Sequence, residues 1–289
     1  MTIEQQYRGT ALITGANNGI GLELARKMLA EGWQIIALIR SNFSGDDSLI
    51  SGAVKSKQLR IYRADLSDFT ALKHALDEIK SQEQQVDLLF NNAGGSFPEL
   101  LYSKQGREMH FELQTVVPYI ITMELKGLLR KGQLKTVVNT SSNAIMTVRH
   151  LNPDTLEHPT KFKKLLGPYA ASKLALSLWT RELAPQLAEE GIMMRSADPG
   201  ANNTLRSGKD SGLPFWLKPI MKLFFPHPSH GAGLLYSAAL GQHSRQPGVF
   251  LLKDQATGLK FTEHGSKVLA KVKAIYEQEF AAAASPYSS

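Results

Sequence analysis

The sequence predicts an α/β fold, in which a doubly wound parallel sheet of about seven strands lies between two layers of helices. Three observations carry this prediction. Short apolar, β-branched segments alternate with longer segments of helical apolar spacing, a glycine-rich turn joins the first strand to the first helix, and the strands end in small polar residues. Strands that alternate with helices of this length are typical of parallel sheets covered on both faces. Such sheets bind ligands in a crevice at the carboxyl ends of their strands.

Length and composition indicate one ordinary globular domain. A chain of 289 residues is close to the largest size at which a single core still grows, so we predict one domain over residues 1–289. Hydrophobic residues make up 43% and charged residues 20% of the chain, values that exclude the disordered class. The lack of cysteine excludes disulfides, thiolate catalysis and cysteine-ligated zinc, and we predict no metal site.

Charge and hydropathy bear on partners and location. The formal net charge is +7, but the lysines and arginines are scattered without a run of five or more, so we predict no nucleic-acid partner. The first eight residues are too polar for a secretory segment, and no apolar run is long enough to span a membrane. A cytoplasmic protein without a transmembrane segment is the simplest expectation.

The first strand, turn and helix have the pattern of a phosphate-binding unit. Residues 10–14 are apolar and β-branched, and they precede the glycine turn 15–21 and a helix predicted over residues 22–30. Glycines allow a backbone to approach a phosphate closely, and the amides that begin a helix carry partial positive charge. A glycine-rich connection without a ligand is the alternative that this pattern alone leaves open.

The second strand, predicted over residues 34–39, indicates which dinucleotide binds. In dinucleotide folds an acidic residue about 20 positions after the glycines holds the ribose hydroxyls, whereas an arginine nearby accommodates a 2′-phosphate. Arg40 ends this strand, and no carboxylate follows before Asp46. We therefore predict NADP(H) in preference to NAD(H), with a surface charge at a strand end as the alternative interpretation of Arg40.

Further strands and helices complete the predicted sheet. The strands are residues 59–63, 86–90, 134–139, 192–197 and 248–252, and the helices are residues 67–81, 106–129, 168–191 and 263–280, followed by a flexible tail over 281–289. Ser67 is the predicted N-cap of the helix over 67–81. The loop 91–94 after the fourth strand is rich in small amide side chains and suits contact with a flat ligand, with a plain turn as the alternative.

One helical segment carries two residues suited to acid–base chemistry. Tyr169 and Lys173 are four positions apart, which places the phenol and the ammonium on one face of the helix over 168–191. A phenol has an ordinary pKa of about 10, and a fixed cation nearby lowers that pKa because it favours the phenolate. A core tyrosine and a solvated lysine are the alternative interpretation of this pair alone.

Six motifs together resemble the short-chain dehydrogenase/reductase family. In chain order they are residues 14–21, Asp65 with Leu66, residues 91–94, Ser142, Tyr169 with Lys173, and Pro199 and Gly200 with Thr204. The resemblance covers residues 8–255. The strand-end arginine, the spacing from the serine to the tyrosine and the segment 231–238 are most similar to the retinol dehydrogenase and carbonyl reductase branch. The resemblance implies one Rossmann-like domain and an oxidoreductase.

The resemblance also implies a role for each site residue. Tyr169 would exchange a proton with the substrate oxygen, Ser142 would hydrogen-bond that oxygen, and Lys173 would hold the nicotinamide ribose and lower the pKa of Tyr169. Asp65 and Leu66 would flank the adenine. The NADP(H)-binding residues that follow from the motifs are Gly15, Asn17, Asn18, Gly19, Ile20, Gly21, Arg40, Asp65, Leu66, Asn91, Ala93, Gly94, Tyr169, Lys173, Pro199, Gly200 and Thr204.

One position departs from the family pattern. The family's fourth catalytic residue is usually an asparagine that helps to hold a water in a proton relay, and the aligned residue here is Gln114. Glutamine keeps the amide but adds a methylene, which predicts a shifted or slow relay. Gln114 therefore supports a second hypothesis, an NADP(H)-binding regulatory protein with little or no turnover.

Residues 205–228 follow the last motif and form the predicted substrate lid. The stretch 213–226 is apolar and aromatic and is interrupted by three prolines, which suits a cover over a bulky, apolar carbonyl or alcohol substrate. An ordinary packed helix, a contact between copies in a homo-oligomer and a membrane-surface patch are the alternatives.

Overall fold

The computed structural model describes residues 8–200 and 226–282, and these residues contain eight strands. The strands are β1 (Thr10–Thr14), β2 (Gln34–Ile39), β3 (Leu59–Arg63), β4 (Leu88–Asn91), β5 (Thr136–Thr140), β6 (Met193–Asp198), β7 (Phe250–Leu252) and β8 (Gln255–Thr257). They form one sheet in the order β3-β2-β1-β4-β5-β6-β7-β8. The first seven run parallel and β8 pairs antiparallel with β7. The predicted parallel sheet is confirmed, with one short strand more than expected.

Helices cover both faces of the sheet. In the described residues they are α1 (Gly19–Ala30), α2 (Ser48–Lys55), α3 (Phe69–Gln82), α4 (Met109–Phe111), α5 (Val117–Glu124), α6 (Lys126–Lys131), α7 (Pro168–Glu189), α8 (Pro228–Leu240) and α9 (Gly265–Ile275). Apolar side chains of α1, α2 and α8 pack on one face, and those of α3, α5, α7 and α9 pack on the other. The predicted three-layer architecture is therefore present, although the prediction missed α2.

The central strands are buried on both faces, as their sequences require. All five residues of β1 and all five of β5 are buried. A strand covered by helices on both sides has no polar face, which explains the uninterrupted apolar runs at residues 11–13 of β1 and 35–39 of β2. The burial also places every strand end in a defined position beneath the loops that follow it.

The helix after β3 starts differently from the prediction. Asp68 is its N-cap, because its carboxylate accepts hydrogen bonds from the amides of Thr70 and Ala71. The predicted cap, Ser67, instead donates from both its amide and its hydroxyl to Oδ1 of Asp65. A carboxylate at the N-cap also interacts favourably with the positive end of the helix, so the aspartate takes this position.

The single helix predicted over residues 106–129 is instead broken into several pieces. A π-helical turn, Glu112–Val116, separates α4 from α5, and Val117 donates to the carbonyl of Glu112 five residues earlier. Pro118 follows at the second position of α5 and has no amide hydrogen, so it cannot donate to the carbonyl of Gln114. The wider turn accommodates this missing bond, and π-helical turns of this kind are frequent at functional sites.

Other element ends differ by a few residues for local reasons. Strand β5 begins at Thr136, two residues later than predicted, since Lys135 has a φ of 47° and leaves the extended region. Helix α7 begins at Pro168 as predicted and ends at Glu189. The final helix becomes a π-helical turn, Tyr276–Ala281, so Ala281 belongs to this turn and not to the predicted tail.

Several predictions fall partly or wholly outside the described residues. These are Thr204, the predicted lid up to residue 225, and the tail from residue 283. The last residue of the predicted lid, Pro228, begins α8. Within the described ranges, no helix combines the length and the apolar character that crossing a membrane requires.

Candidate active site

The carboxyl ends of β1, β4, β5 and β6 meet at one edge of the sheet. The ladder registers align the last residues of these neighbouring strands. The glycine turn, the loop after β4, Ser142 and residues 198–200 each follow one of these strand ends. The fold therefore brings together segments that are far apart in the sequence, at the edge where parallel sheets bind their ligands.

The turn between β1 and α1 is a cradle of backbone atoms. Gly15 and Gly19 have φ values of 68° and 54°, in the region that residues with a Cβ atom rarely adopt. A Cβ atom at Gly21 would collide with the carbonyl oxygen of Gly15 and would lie 2.6 Å from Nδ2 of Asn92. A tight turn of this kind at the start of a helix is the arrangement that binds phosphate groups.

Asn17, also in this turn, holds the segment that follows β2. Its buried Nδ2 donates to the carbonyl of Ser41 at 2.7 Å and to the Ser41 hydroxyl at 3.0 Å. Asn18 is the N-cap residue of α1, and Ile20 lies in the first turn of that helix. Asn17 thus ties the glycine turn to the loop that begins with Arg40.

Arg40 follows β2 and Asp65 follows β3, and their side chains form a salt bridge of 3.3 Å. Partial burial acts to raise the pKa of Asp65, but hydrogen bonds from Ser67 and Arg40 outweigh it, so the pKa is lowered. A second guanidinium, that of Arg63, hydrogen-bonds to Oδ1 of Asn42. The sequence analysis did not select Arg63, although its position at the end of the strand beside β2 was a usable signal.

Two predicted cofactor residues direct their side chains into the core. Nδ2 of Asn91 donates to Oδ1 of Asn139 at 2.8 Å and to the hydroxyl of Thr122 at 3.3 Å. Leu66 is buried in the hydrophobic cluster on the α3 face of the sheet. Both side chains pack inside the protein, so these two residues can contact a ligand only through their backbone atoms.

The loop after β4 is fastened to the glycine turn. The hydroxyl oxygen of Thr14 accepts hydrogen bonds from the amides of Asn92 and Ala93, both at 2.9 Å. A Cβ atom at Gly94 would lie 2.9 Å from Oε1 of Gln114, so this position also requires glycine. Ala93 and Gly94 therefore have a fixed place between the cradle and Gln114.

Ser142, Tyr169 and Lys173 converge at the same edge. Ser142 caps the short 3₁₀ helix Asn143–Thr147, because its hydroxyl accepts from the amide of Ala144 at 3.2 Å, and this hydroxyl is close enough to Tyr169, in the first turn of α7, to act on the pKa of the phenol. Lys173 lies one turn further along α7, where it is buried, and its Nζ donates to the carbonyl of Thr140 at 2.6 Å. Three of the four side chains predicted to be catalytic thus lie at one edge of the sheet, and the fourth, Gln114, lies in the π-helical turn.

Burial dominates the ionisation of this site. It raises the pKa of Tyr169, and the nearby hydroxyl of Ser142 acts in the opposite direction. Burial also lowers the pKa of Lys173 to about 7, although the carboxylate of Asp198 favours the ammonium. Burial therefore outweighs the effect of the Ser142 hydroxyl on the pKa of Tyr169, and the role of Lys173 in lowering this pKa stays a prediction.

A sequence model of the short chain dehydrogenase family matches residues 9–153 of the chain, half of its length. The chain belongs to this family. Retinol dehydrogenase 12 from Bos taurus is 31% identical over 200 residues, which cover 68% of this chain and 62% of that relative. The chain therefore spans less than two thirds of the length of this relative. The resemblance to the short-chain dehydrogenases, and to their retinol dehydrogenase branch, is confirmed.

Solved structures share the short-chain dehydrogenase fold. A 4-hydroxyisoleucine dehydrogenase complexed with NADH matches with a TM-score of 0.64 and 20% identity, over 85% of this chain and 96% of that chain. L-sorbose reductase from Gluconobacter frateurii, complexed with NADPH and L-sorbose, matches with a TM-score of 0.61 and 18% identity, over 86% and 97%. At this identity the two structures establish the fold alone.

Gln114, which departs from the family pattern, lies in the π-helical turn and is fully buried. Its Nε2 donates to the carbonyl of Gly95 at 3.0 Å. Its Oε1 has no hydrogen-bond partner in the described part of the chain. The longer side chain therefore reaches the loop after β4 and leaves one acceptor unused at the active site.

His110 is a buried site residue that the sequence analysis missed. Its ring meets that of Tyr169 edge to face at 5.7 Å, and its Nε2 accepts a hydrogen bond from the amide of Phe97 at 3.0 Å. Its Nδ1 lies 2.6 Å from Oε1 of Glu108, so Nδ1 carries the proton in this arrangement. Nothing in the local sequence signals this role, because the contact with Tyr169 depends on the packing of α4 against α7.

The site of this short-chain dehydrogenase fits a nicotinamide dinucleotide. The glycine turn supplies a cradle for the phosphates. Oδ2 of Asp198 and Oε1 of Gln114 are buried acceptors without a donor among the described residues, and a carboxamide and ribose hydroxyls bring donors. Pro199 and Gly200 directly follow Asp198 at the same edge.

Proposed function

We propose that this protein is an NADP(H)-dependent oxidoreductase that transfers a hydride between nicotinamide and a carbonyl or alcohol group of an apolar substrate. The observation that carries the proposal is that Lys173 is buried and donates at 2.6 Å to the carbonyl of Thr140, two residues before Ser142, while Tyr169 lies one helical turn before Lys173 on α7. A protein that only binds the nucleotide needs the glycine cradle but does not need two aligned hydroxyl groups beside a buried lysine.

The three side chains have distinct roles in this proposal. Bound nicotinamide supplies or takes up the hydride. In reduction, the hydroxyl of Ser142 stabilises the charge that develops on the substrate oxygen, and Tyr169 donates a proton to that oxygen. Because its pKa is raised, Tyr169 is protonated at neutral pH and begins reduction as the acid. Lys173 holds the ribose side of the site, and its charge favours Tyr169 after the proton has left.

Two arginines support the preference for NADP(H). Arg40 and Arg63 lie at the ends of neighbouring strands, and among the described residues the exposed guanidinium of Arg40 is paired with one surface carboxylate, that of Asp65. Asp65, the acidic residue nearby, is already engaged by Ser67 and Arg40. A 2′-phosphate would therefore meet net positive charge here.

The surroundings of Tyr169 support an apolar substrate. The ring of His110 contacts the rings of Phe97 and Phe162 as well as that of Tyr169, so an aromatic cluster adjoins the ring of Tyr169. The name of the related retinol dehydrogenase is that of an apolar alcohol, which agrees with this chemistry. We extend the proposal to a small-molecule alcohol or aldehyde with a long apolar body, acted on by one domain in the cytoplasm.

Gln114 favours the second candidate, an NADP(H)-binding regulatory protein with little or no turnover. Its amide nitrogen is committed to the carbonyl of Gly95, and a shorter asparagine would not reach so far. If the relay behind Lys173 depends on this position, proton transfer in this protein is slow. The nucleotide cradle would be unaffected, so binding alone does not separate the two candidates.

The test combines turnover and binding in the same samples. NADPH oxidation is followed with a panel of apolar aldehydes, ketones and quinones, using wild type and Tyr169→Phe, while NADPH binding is followed by fluorescence. We expect turnover that disappears in the variant while binding persists. Binding by both proteins without turnover of any compound would favour the regulatory candidate, and the lack of binding would contradict both.

A further inference from the structure

Asp198 is a buried carboxyl group beside the catalytic residues to which the proposed reaction assigns no role. It is the last residue of β6, and its side chain is 3% exposed. Its Oδ1 accepts a hydrogen bond from the amide of Asn143 at 3.0 Å, and the amide of Gly200 also donates to the carboxylate. Its Oδ2 is buried without a partner among the described residues. Such a group costs folding free energy, so a function is expected to offset it.

Lys173 is a buried cation that lacks a directly paired carboxylate among the described residues. Its ammonium is buried, and its hydrogen bond goes to the neutral carbonyl of Thr140. A buried cation needs an opposite charge in its surroundings. Thr140, whose carbonyl holds Lys173, pairs in the β5–β6 ladder with Ala197, the residue directly before Asp198. This register places the Asp198 carboxylate near Lys173, where its charge favours the ammonium, and within the described ranges the two groups do not form a salt bridge.

The carboxylate of Asp198 also influences Tyr169 and Ser142. Its charge acts on Tyr169 of α7. Its hydrogen bond to Asn143 fixes the residue directly after Ser142. Burial raises the pKa of Asp198, and the charges of Lys173 and of Lys253, in the turn between β7 and β8, act in the opposite direction. Asp198 is therefore connected to every catalytic position of the site.

We infer that Asp198 is a fourth functional residue of this site: its carboxylate is the counter-charge that keeps Lys173 protonated, and it fixes the turn that presents Ser142. Asp198 is a positioning residue, because it acts through these two side chains. The part of this inference in which the Asp198 charge serves catalysis rests on the proposed function. The electrostatic coupling between Asp198 and Lys173 is a property of the protein alone and is tested separately.

The decisive test is a double-mutant cycle on melting temperature, with wild type, Asp198→Asn, Lys173→Met and the double variant at about pH 6 and pH 9.5. Asparagine keeps an acceptor oxygen for Asn143, so the first variant removes charge with little loss of hydrogen bonding. At pH 6 we expect a favourable coupling of about 2–4 °C between the two positions. At pH 9.5 the coupling should vanish, because Lys173, with a pKa of about 7, is neutral there.

A matched control uses Asp254→Asn. Asp254 also has one buried oxygen without a partner in the described residues, while its other oxygen accepts from Ser237 at 2.9 Å. The effect of Asp254→Asn on the melting temperature should be additive with that of Lys173→Met at both pH values. If the effects of Asp198→Asn and Lys173→Met on the melting temperature are additive, or if their coupling is independent of pH, the inference is overturned. Lys173→Gln replaces Lys173→Met in the cycle if the methionine variant does not fold.

NADPH binding provides a second readout. If Asp198 keeps Lys173 protonated, the pH at which NADPH affinity declines should fall by about one unit in Asp198→Asn and stay unchanged in Asp254→Asn. An unchanged midpoint in Asp198→Asn would contradict the inference. If wild type binds no NADPH at any pH, the proposed function fails, and the double-mutant cycle still decides the role of Asp198.

Discussion

The Nη1 atom of Arg40 lies 3.3 Å from the Oδ2 atom of Asp65, so a salt bridge joins the loops after two neighbouring strands. The two side chains are 67% and 42% exposed, and an exposed pair contributes only about 0–1 kcal/mol. Arg40 therefore loses little when a ligand phosphate replaces the carboxylate. Asp65, the acidic group nearest to Arg40 in this part of the site, follows the third strand and also accepts two hydrogen bonds from Ser67.

Replacing Arg40 by Asp tests the choice of cofactor. The 2′-phosphate of NADPH would lose a cation and meet a carboxylate, so we expect its affinity to fall at least about tenfold relative to that of NADH. Fluorescence titration with both cofactors measures this ratio. Arg130→Asp, on α6, is the control for a charge reversal at the surface. An equal effect of Arg40→Asp on both cofactors would show that the NADP(H) assignment is wrong.

Replacing Gly21 by Ala tests the phosphate cradle. The added Cβ would collide with the carbonyl of Gly15 and with Asn92, so we expect a lower melting temperature and a loss of NADPH binding. Gly233→Ala, in α8, is the matched control, because a Cβ there meets no atom within 4 Å. Alanine in a helix interior stabilises by about 0.5–1 kcal/mol relative to glycine, so this variant should melt slightly higher. If Gly21→Ala keeps the NADPH affinity of wild type, the assignment of the glycine turn as the phosphate-binding site is wrong.

Replacing Lys173 by Met tests the burial of the ammonium. The pKa of Lys173 is about 7 in the fold, against an ordinary value of 10.5. Between these values the unfolded chain binds more protons, so the free energy of unfolding of wild type rises with pH over this window. The methionine variant lacks this titration. We expect it to be the more stable protein below pH 7, on the order of a few kcal/mol, with the advantage shrinking towards pH 10.5.

Denaturant unfolding at several pH values measures this difference directly. Lys131→Met, at an exposed position on α6, provides the control for a lysine that is not buried. A stability difference between wild type and Lys173→Met that stays constant from pH 6 to pH 10 would mean that Lys173 is not a desolvated ammonium.

The parallel sheet and the position of its ligand edge were predictable because both follow from local patterns. Continuous apolar runs such as residues 34–39 indicate strands buried on both faces, and the order of strand, turn and helix makes those strands parallel. Once the strands are parallel, the loops after them must meet at one edge. The glycine turn, Ser142 and Tyr169 could therefore be assigned to one site without any knowledge of their distances.

The features that the sequence did not predict depend on tertiary contacts. The π-helical turn around Gln114 arises where Pro118 removes a hydrogen bond, and a helical pattern alone does not show how the chain accommodates that loss. His110 reaches Tyr169 only through the packing of two helices. The raised pKa of Tyr169 likewise follows from burial, which a spacing of four residues does not report.

The measurement that tests the central claim most directly is the transfer of deuterium from NADPH labelled at C4 of the nicotinamide to an apolar aldehyde, followed by mass spectrometry. We predict one deuterium in the alcohol formed by wild type, and no labelled alcohol with Tyr169→Phe although that variant still binds NADPH. Bound NADPH that transfers no label to any aldehyde or ketone, or equal transfer by wild type and Tyr169→Phe, would contradict the assignment of Tyr169 as the acid of a hydride-transfer site.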